Sequence, residues 1–466
     1  MRVSSTGWRI GGLGLALAAL AAVALSNRVL QTPEPAPPSL LPLPGDDPAV
    51  RSEPARPSLV IVTLDTTRAD RLGCYGGSVK TPNLDALAAR GVRFAHATAS
   101  APITLPSHAS LFTGLDPQRH GVRENGTHVL GDAQLTLAEI LRSQGWRTGA
   151  FIGGFPLSAR FGLAQGFDHY DDALAEDNPG PPRKELWQGV ARPYVDRPAG
   201  PVVRRAVRWI HANADAPFFA WVHLFDAHNA YQPPEPFATR YRGRLYDGEI
   251  AYMDSVLREL FDSLARWDLA SDTLVVVAAD HGESLGEHGI EGHGRDLYEP
   301  ALNVPLLAAF PGRIDAAQVV NESVRNVDLL PTLLELLELA VPPRLDGRSL
   351  VAALRAKGNG ALPPADAYAE TLMPRLRFGG PERYALQRGA WKLLREVAPD
   401  RRVSERLFHL GDDPGELRDR AAEAVAVRSA LAAALDARIA AGGAAVGPAA
   451  LDAESEAALR ALGYID

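Results

Sequence analysis

Five short runs rich in Val, Ile, Leu and Ala recur at 58–64, 148–152, 217–224, 273–279 and 304–310, and segments with helical spacing separate them, among them 83–90, 137–144 and 202–212. An unbroken apolar run of this length suits a strand covered on both faces, the environment of a parallel sheet. Helices must then cross between successive strands, so the alternation specifies a doubly wound α/β/α sandwich. In open sheets of that kind the chemistry gathers beyond the carboxyl ends of the strands.

The chain has 466 residues and is 46% hydrophobic, enough to bury one large domain and a smaller one. Past a helical stretch at 327–339 and a turn at 342–347 the pattern changes. Short strand-like stretches at 367–370, 383–387, 391–394 and 407–410 precede an Ala-rich helical segment at 414–441. Residues 58–354 therefore read as the α/β domain, and 355–466 as an α+β subdomain with a small antiparallel sheet. Ahead of them, Arg2 and Arg9 lead into an uncharged run from Ile10 to Ser26, an export signal that fits either a cleaved signal peptide or a retained membrane anchor within 1–28. The following linker, 29–57, holds nine prolines between Pro33 and Pro57 and reads as an extended tether. The catalytic body is thus expected outside the cytoplasm, periplasmic or anchored. A net charge of -8 with both signs interspersed offers no basic tract for nucleic acid. With Cys74 alone, neither an intramolecular disulfide nor a Cys-based zinc site can form.

Three strand-like runs end in potential metal ligands. The run 273–279 passes directly into Asp280-His281-Gly282-Glu283, and 58–64 into Asp65. Carboxylate and imidazole donors meeting at strand ends suit zinc or manganese. The third run ends in His223-Leu224-Phe225-Asp226-Ala227-His228, where alternation puts Asp226 and His228 on one face and His223 on the other. His228 is the preferred ligand, Asp226 the reserve, and His223 a packed or supporting residue. The Gly-rich stretch 282–294 can fold back over a site and brings His288, read as a loop hydrogen-bonder, and His293, read as a ligand. In 101–114, Pro106-Ser107 looks like a helix start capped by Ser107, which puts Thr104 just before a helix amino terminus that favours anions. A threonine hydroxyl becomes a competent nucleophile when a divalent cation lowers its pKa.

Thr104-Leu-Pro-Ser-His-Ala-Ser-Leu-Phe-Thr-Gly114 resembles the sulfatase signature, Cys/Ser-x-Pro-Ser-Arg-x-x-x-Leu-Thr-Gly, with Pro106, Ser107, Thr113 and Gly114 kept. Further stretches resemble the same family across 58–466: Thr81-Pro-Asn-Leu-Asp85, His120-Gly-Val122, Asp280-His-Gly282 with Leu285-Gly-Glu-His-Gly289, and Leu407-Phe-His-Leu410. The resemblance implies an alkaline phosphatase-like fold and an ester hydrolase. Several positions depart from the pattern. Thr104 carries the wrong β-carbon substitution to become formylglycine, His108 replaces the signature Arg, Thr66 replaces the second Asp of an Asp-Asp pair, Gly153-Gly-Phe-Pro156 replaces Gly-Lys-Trp-His, and His293 stands at the position of a Lys. Those changes resemble the threonine-using phosphoethanolamine and glycerophosphate transferases and the nucleotide phosphodiesterases, where Asp-His-Gly-Glu-Ser-Leu-Gly-Glu is followed by His-Gly, as in Asp280–Glu287 and His293-Gly294.

What the resemblance implies is one metal on Asp65, Thr104, Asp280 and His281 and a second near His228 and His293, with Asp226 in reserve; zinc or manganese lead, then calcium or magnesium. Thr104 would attack a phosphate, or secondarily a sulfate, ester of a small molecule, glycan or lipid, with His228 and His293 as further catalytic groups. A sulfatase proper and a phosphoethanolamine- or glycerophosphate-type transferase are the alternatives within enzymes. A single apolar run favours hydrolysis over the multi-helix transferases, and an inactive binding protein is disfavoured by four competent ligand positions.

Overall fold

β1 (Ser58–Leu64) is buried at every position. It lies between two parallel partners, β5 (Phe218–Leu224) and β6 (Thr273–Ala279), which are buried throughout as well. Such strands can afford no polar alternation, because helices cover both faces of the sheet. The computed structural model describes residues 56–174, 196–356, 362–442 and 453–461, all within one compact unit, Gly45–Asp466. The expected export signal at 1–28 and most of the tether lie outside the described residues. Among those described, no helix is long and apolar enough to cross a membrane.

The central sheet adds β2 (Val92–Thr98), β3 (Arg147–Phe151), β4 (His169–Asp171), β9 (Asn303–Val304), β10 (Leu306–Ala309) and β11 (Gln318–Arg325). Its order is β11-β2-β10-β6-β1-β5-β3-β4, with β9 on β2. Helices Pro82–Arg90, Ala199–Asn213 and Leu245–Arg266 pack together as one layer; Thr104–Thr113, Leu137–Ser143 and Leu329–Leu336 form the other. The α/β/α sandwich is as expected, with one correction: the sheet is mixed, since β10 runs antiparallel to both β6 and β2. The reason is the route of the chain. After β6 it stays at the carboxyl edge through the hairpin β7 (Ser284–Leu285) and β8 (Glu291–Gly292), so β10 enters from that edge and runs back.

The small sheet comprises β12 (Ala367–Thr371), β13 (Glu382–Arg388), β14 (Trp391–Val397) and β15 (Val403–His409), antiparallel in that order. Leu431 and Leu435 of helix Val425–Ala440 close its core over Tyr368, Leu386, Leu393 and Leu407. The helix expected from 414 begins only at Val425. Glu416 is left-handed at φ 54°, and Asp413 accepts from the backbone N–H of Leu417 and Arg418 at 3.0 and 2.8 Å, which holds the preceding segment as a turn.

Candidate active site

β1 sits where the strand order reverses, and its carboxyl end delivers Asp65 beside Asp280 and His281 from the end of β6. One ligand atom from each of the three falls within 4.8 Å of the others, and all three side chains are fully buried. Asp280 Oδ1 accepts from the His281 N–H at 2.8 Å, while Asp65 Oδ1 and Asp280 Oδ2 have no hydrogen-bond partner. Burial raises the pKa of both carboxyls, and for Asp280 the charge of Asp65 adds to it. His281 Nδ1 faces the Gly282 carbonyl at 3.0 Å, so it carries the proton and Nε2 presents its lone pair to the centre. Two orphaned carboxylate oxygens and one imidazole nitrogen that faces them in a buried pocket fit a divalent cation, whose charge would cancel the repulsion.

Thr104 Oγ1 lies 3.5 Å from His281 Nε2 and hydrogen-bonds toward Asp65. Here the local expectation needs correcting. The helix starts at Thr104 itself, after an extended Ile103, and Ser107 is not its cap. Pro106 sits in the first turn, where its missing N–H costs nothing. Ser107 Oγ instead donates to the Asp280 carbonyl at 2.5 Å, and Asn326 Nδ2 donates to the same oxygen at 3.2 Å. From below, Phe112 packs edge-on against Trp221 of β5, ring centres 4.6 Å apart. The helix that begins at Thr104 is thereby locked to the end of β6, which supplies Asp280, and to β5. Sequence reasoning missed Asn125, whose Oδ1 accepts from the Leu105 N–H at 2.8 Å while its buried Nδ2 has no partner. That donor sits on the residue that holds the Leu105 N–H, next in sequence to Thr104, and has no partner among the described residues.

The outer imidazoles adjoin this group without belonging to it. His293 lies 4.6 Å from His281 and 4.9 Å from His228, ring centre to ring centre. His293 Nδ1 is 3.3 Å from both oxygens of Glu283. Burial alone would depress its pKa, but Glu283 outweighs burial and raises it. His228 stacks on Phe225 at 4.4 Å and places Nδ1 2.8 Å from the Asn229 carbonyl. Asp226 faces elsewhere: it accepts from the Ala199 N–H at 2.8 Å, at the start of helix Ala199–Asn213. His223, read as supporting, stands 3.3 Å from Asp65 Oδ2, with Nδ1 accepting from Gly153 and Nε2 donating to the carboxylate. His288 stacks on Tyr298 at 3.6 Å rather than acting through hydrogen bonds.

Residues 57–339 match the family profile described as Sulfatase, and 286–440 that of the N-sulphoglucosamine sulphohydrolase C-terminal region. The chain belongs to the sulfatase family. Among its relatives, the ulvan-active sulfatase of Formosa agariphila is 28% identical over 64% of this chain and 65% of that protein's own length, so the match spans just under two thirds of it. The N-acetylgalactosamine-6-sulfatase of Homo sapiens is 26% identical over 78% of this chain and 81% of that protein. In fold, the chain resembles the phosphonate monoester hydrolase of Agrobacterium radiobacter, with a TM-score of 0.67 at 21% identity, covering 85% of this chain and all of that one. Within this sulfatase framework the Gly153-Gly154 departure has a steric reason. A Cβ at Gly153 would lie 2.7 Å from the His223 carbonyl, and one at Gly154 would lie 2.4 Å from the Phe225 ring. Likewise His108, in place of the signature Arg, is fully buried between the Thr104 carbonyl at 2.8 Å and Thr63 Oγ1 at 3.0 Å. Burial pushes its pKa down to about 3, so it is a neutral brace.

Proposed function

We propose that this protein is an exported hydrolase of phosphate or sulfate esters in which Thr104 is the nucleophile. The observation that carries the reading is the Thr104 hydroxyl, buried at a helix amino terminus beside Asp65 and Asp280, each of which has an oxygen with no hydrogen-bond partner among the described residues. A bound divalent ion, zinc or manganese by donor type with calcium or magnesium as alternatives, would supply charge to ionise the hydroxyl and neutralise the ester's non-bridging oxygens. Asp65, Asp280 and His281 would hold it.

Thr104 Oγ1 gives up its proton to water and attacks phosphorus or sulfur in line as the bond to the ester oxygen breaks; that oxygen departs with a proton from His293, whose Nδ1 is braced by Glu283. Asn125 Nδ2 donates to a non-bridging oxygen and orients the group. Water then attacks the threonine ester, giving one proton to His293; the bond to Thr104 Oγ1 breaks, the inorganic anion leaves, and the threonine oxygen regains its proton from water. His228 flanks the leaving group and limits its approach. The alcohol portion is that of a small molecule, glycan or lipid, and the N-terminal apolar run would place the reaction outside the cytoplasm.

A sulfate preference is the second reading, favoured by the relatives' names, sulfatases in each case. A panel of aryl phosphate monoesters, aryl phosphate diesters and an aryl sulfate, assayed with zinc, manganese or calcium, separates the two. Full metal-dependent turnover by Thr104→Ala would end the nucleophile assignment, and sulfate turnover exceeding every phosphate ester would replace the first reading with the second.

A further inference from the structure

We propose that the end of β12 and the helix Met373–Phe378 that follows it form a strap across the site, with Arg377 and Thr371 as positioning residues that fix Asn125 and His293 relative to each other. The inference rests on the ester-hydrolase reading, in which Asn125 orients the anion and His293 protonates the leaving oxygen, and adds to it two residues of the small subdomain. β12 is paired with β13 along its whole length, from Ala367 opposite Gln387 to Thr371 opposite Arg383. The strap therefore starts from a strand held in register.

Two ion pairs of opposite sense join it to the loop that carries Asn125. Arg123 Nε and Nη2 donate to the two oxygens of Glu370 at 2.5 and 2.6 Å, and Arg377 Nε donates to Glu124 Oε1. Glu370, Arg377 and Glu124 are all but fully buried. Loop and strap each offer one cation and one carboxylate, and exchanging the partners would set like charges against each other, so a single alignment is satisfied. Arg377 does more than close a pair. Its Nη2 donates to the Asn125 carbonyl at 2.7 Å, while Asn125 Oδ1 is held from another side by the Leu105 N–H at 2.8 Å. Backbone and side chain of Asn125 are thus pinned by separate elements, which leaves Nδ2, buried and with no partner among the described residues. A planar guanidinium serves Glu124 and the carbonyl at once, and an ammonium point charge does not.

The same strap reaches the acid. Thr371 Oγ1 donates to the carbonyl of Gly294, the residue after His293, at 2.6 Å. Met373 packs on Gly294 so closely that a Cβ there would lie 2.4 Å from its sulfur, and at φ 81° the position is left-handed as well. The Glu370 N–H adds a bond to the Ser100 carbonyl at 3.1 Å, on the segment that leads into Thr104. Residues 370–378 therefore touch the segments that carry Thr104, Asn125 and His293. A catalytic group displaced by about 1 Å can lose about 10²-fold in rate, so these bonds act on turnover.

Steady-state kinetics on the full-length protein test this, with a nitrophenyl ester and an alkyl ester of the same acid as substrates. Arg377→Met should lower kcat about tenfold on both esters and leave KM little changed. In an Asn125→Ala background the same substitution should cost less than about twofold, because the group it positions is already gone. Arg377→Lys keeps a charge beside Glu124 but loses the fork, so kcat should fall about as far while thermal stability stays nearer to wild type; the cycle is run with this variant if the methionine one does not fold. Thr371→Val should slow the alkyl ester about tenfold and spare the nitrophenyl ester, whose oxygen leaves readily without a proton. The proposal is overturned if the Arg377 and Asn125 effects multiply independently, as a loss of folded protein would make them, if lysine restores full kcat, or if Thr371→Val slows both esters alike. Failure of the hydrolase reading shows separately, as full turnover by Thr104→Ala; an inactive Thr104→Ala beside independent Arg377 and Asn125 effects sinks the strap alone.

Discussion

Asp65 and Asp280 at the carboxyl edge of the central sheet, and Lys392 with Glu416 and Glu299 at the seam with the small sheet, both bury charge, yet they are completed in opposite ways. At the seam, Lys392 Nζ stands 2.8 Å from Glu299 and 2.9 Å from Glu416. Burial opposes its charge, but the two carboxylates outweigh burial and raise its pKa. At the edge, two carboxylates face each other with an orphaned oxygen apiece; burial keeps His108 and His281 neutral, and His293 is the imidazole whose charge eases Asp65. A folded chain tolerates such a conflict where a ligand resolves it. The seam is closed by its own cation, and the edge carries a set of ligand atoms that fits an ion.

Asp280→Asn should break this contrast most sharply, because it relieves the conflict while removing a ligand. With metal present, kcat/KM for an aryl ester should fall by about 10³-fold or more, as expected for lost transition-state charge stabilisation. Added metal should raise the Tm of the wild type through preferential binding to the folded state and leave the variant flat. In chelator the order should reverse, the variant gaining about 1–3 kcal/mol over wild type, since an unpaired buried carboxylate has gone. Differential scanning calorimetry with and without chelator reads all of this, and a variant that is less stable in chelator would show the edge to be self-sufficient.

At the seam the expectation is the opposite. Lys392→Met takes the cation from the buried Glu416 and the partly buried Glu299 and should cost about 3–5 kcal/mol of unfolding free energy, with kcat/KM of the folded protein changed by no more than about twofold. Urea denaturation alongside an aryl ester assay measures both, and a large kcat loss at unchanged stability would erase the distinction between the two clusters.

How much of this could be read from residues alone follows from the same physics. The strands at 58–64 and 273–279 were legible to the residue, because continuous burial writes a continuous apolar run. Asp65, Asp280 and His281 stood out since each directly follows such a run. β2 and β11 were not legible, for their partial exposure mixes polar and apolar residues without strict alternation. The amphipathic spacing of Ile250, Met253, Leu257, Leu260 and Leu264 did mark helix Leu245–Arg266, and that signal went unused. Asp226 misled because alternation says which face a side chain takes only while the strand lasts, and β5 ends at Leu224. Asn125 could not be found: its role depends on a contact with Leu105 across a loop, and no periodicity encodes that.

Asn125 sharpens the open side of the comparison at a smaller scale. Its Nδ2 is a buried donor with no partner among the described residues, as Asp65 Oδ1 and Asp280 Oδ2 are buried acceptors without one. Asn125→Ala should lower kcat by about 10²-fold, with less effect on KM, as for removal of one oxyanion donor. A change confined to KM would mean that the amide serves ground-state binding alone.

The smallest effect concerns a third buried charge, closed like the seam but by arginine. Asp171 accepts from Arg197 at 2.9 Å and from Arg205 at 3.1 Å. Burial would raise its pKa, but Arg197 and then Arg205 outweigh burial and hold it below the ordinary carboxylate value. A carboxyl depressed in the fold adds stability above its unfolded pKa, near 3.9, and loses that contribution as pH falls through the lowered value. Asp171→Asn should therefore cost about 1–2 kcal/mol at neutral pH. The gap from wild type should stay level from about pH 8 to 5 and narrow below about pH 4, as protonation turns the native side chain into a neutral acceptor like the asparagine. Urea unfolding of both proteins across that range decides it: a gap that persists undiminished at the acid end would mean that the arginines are held by packing and that this cluster owes nothing to its charge.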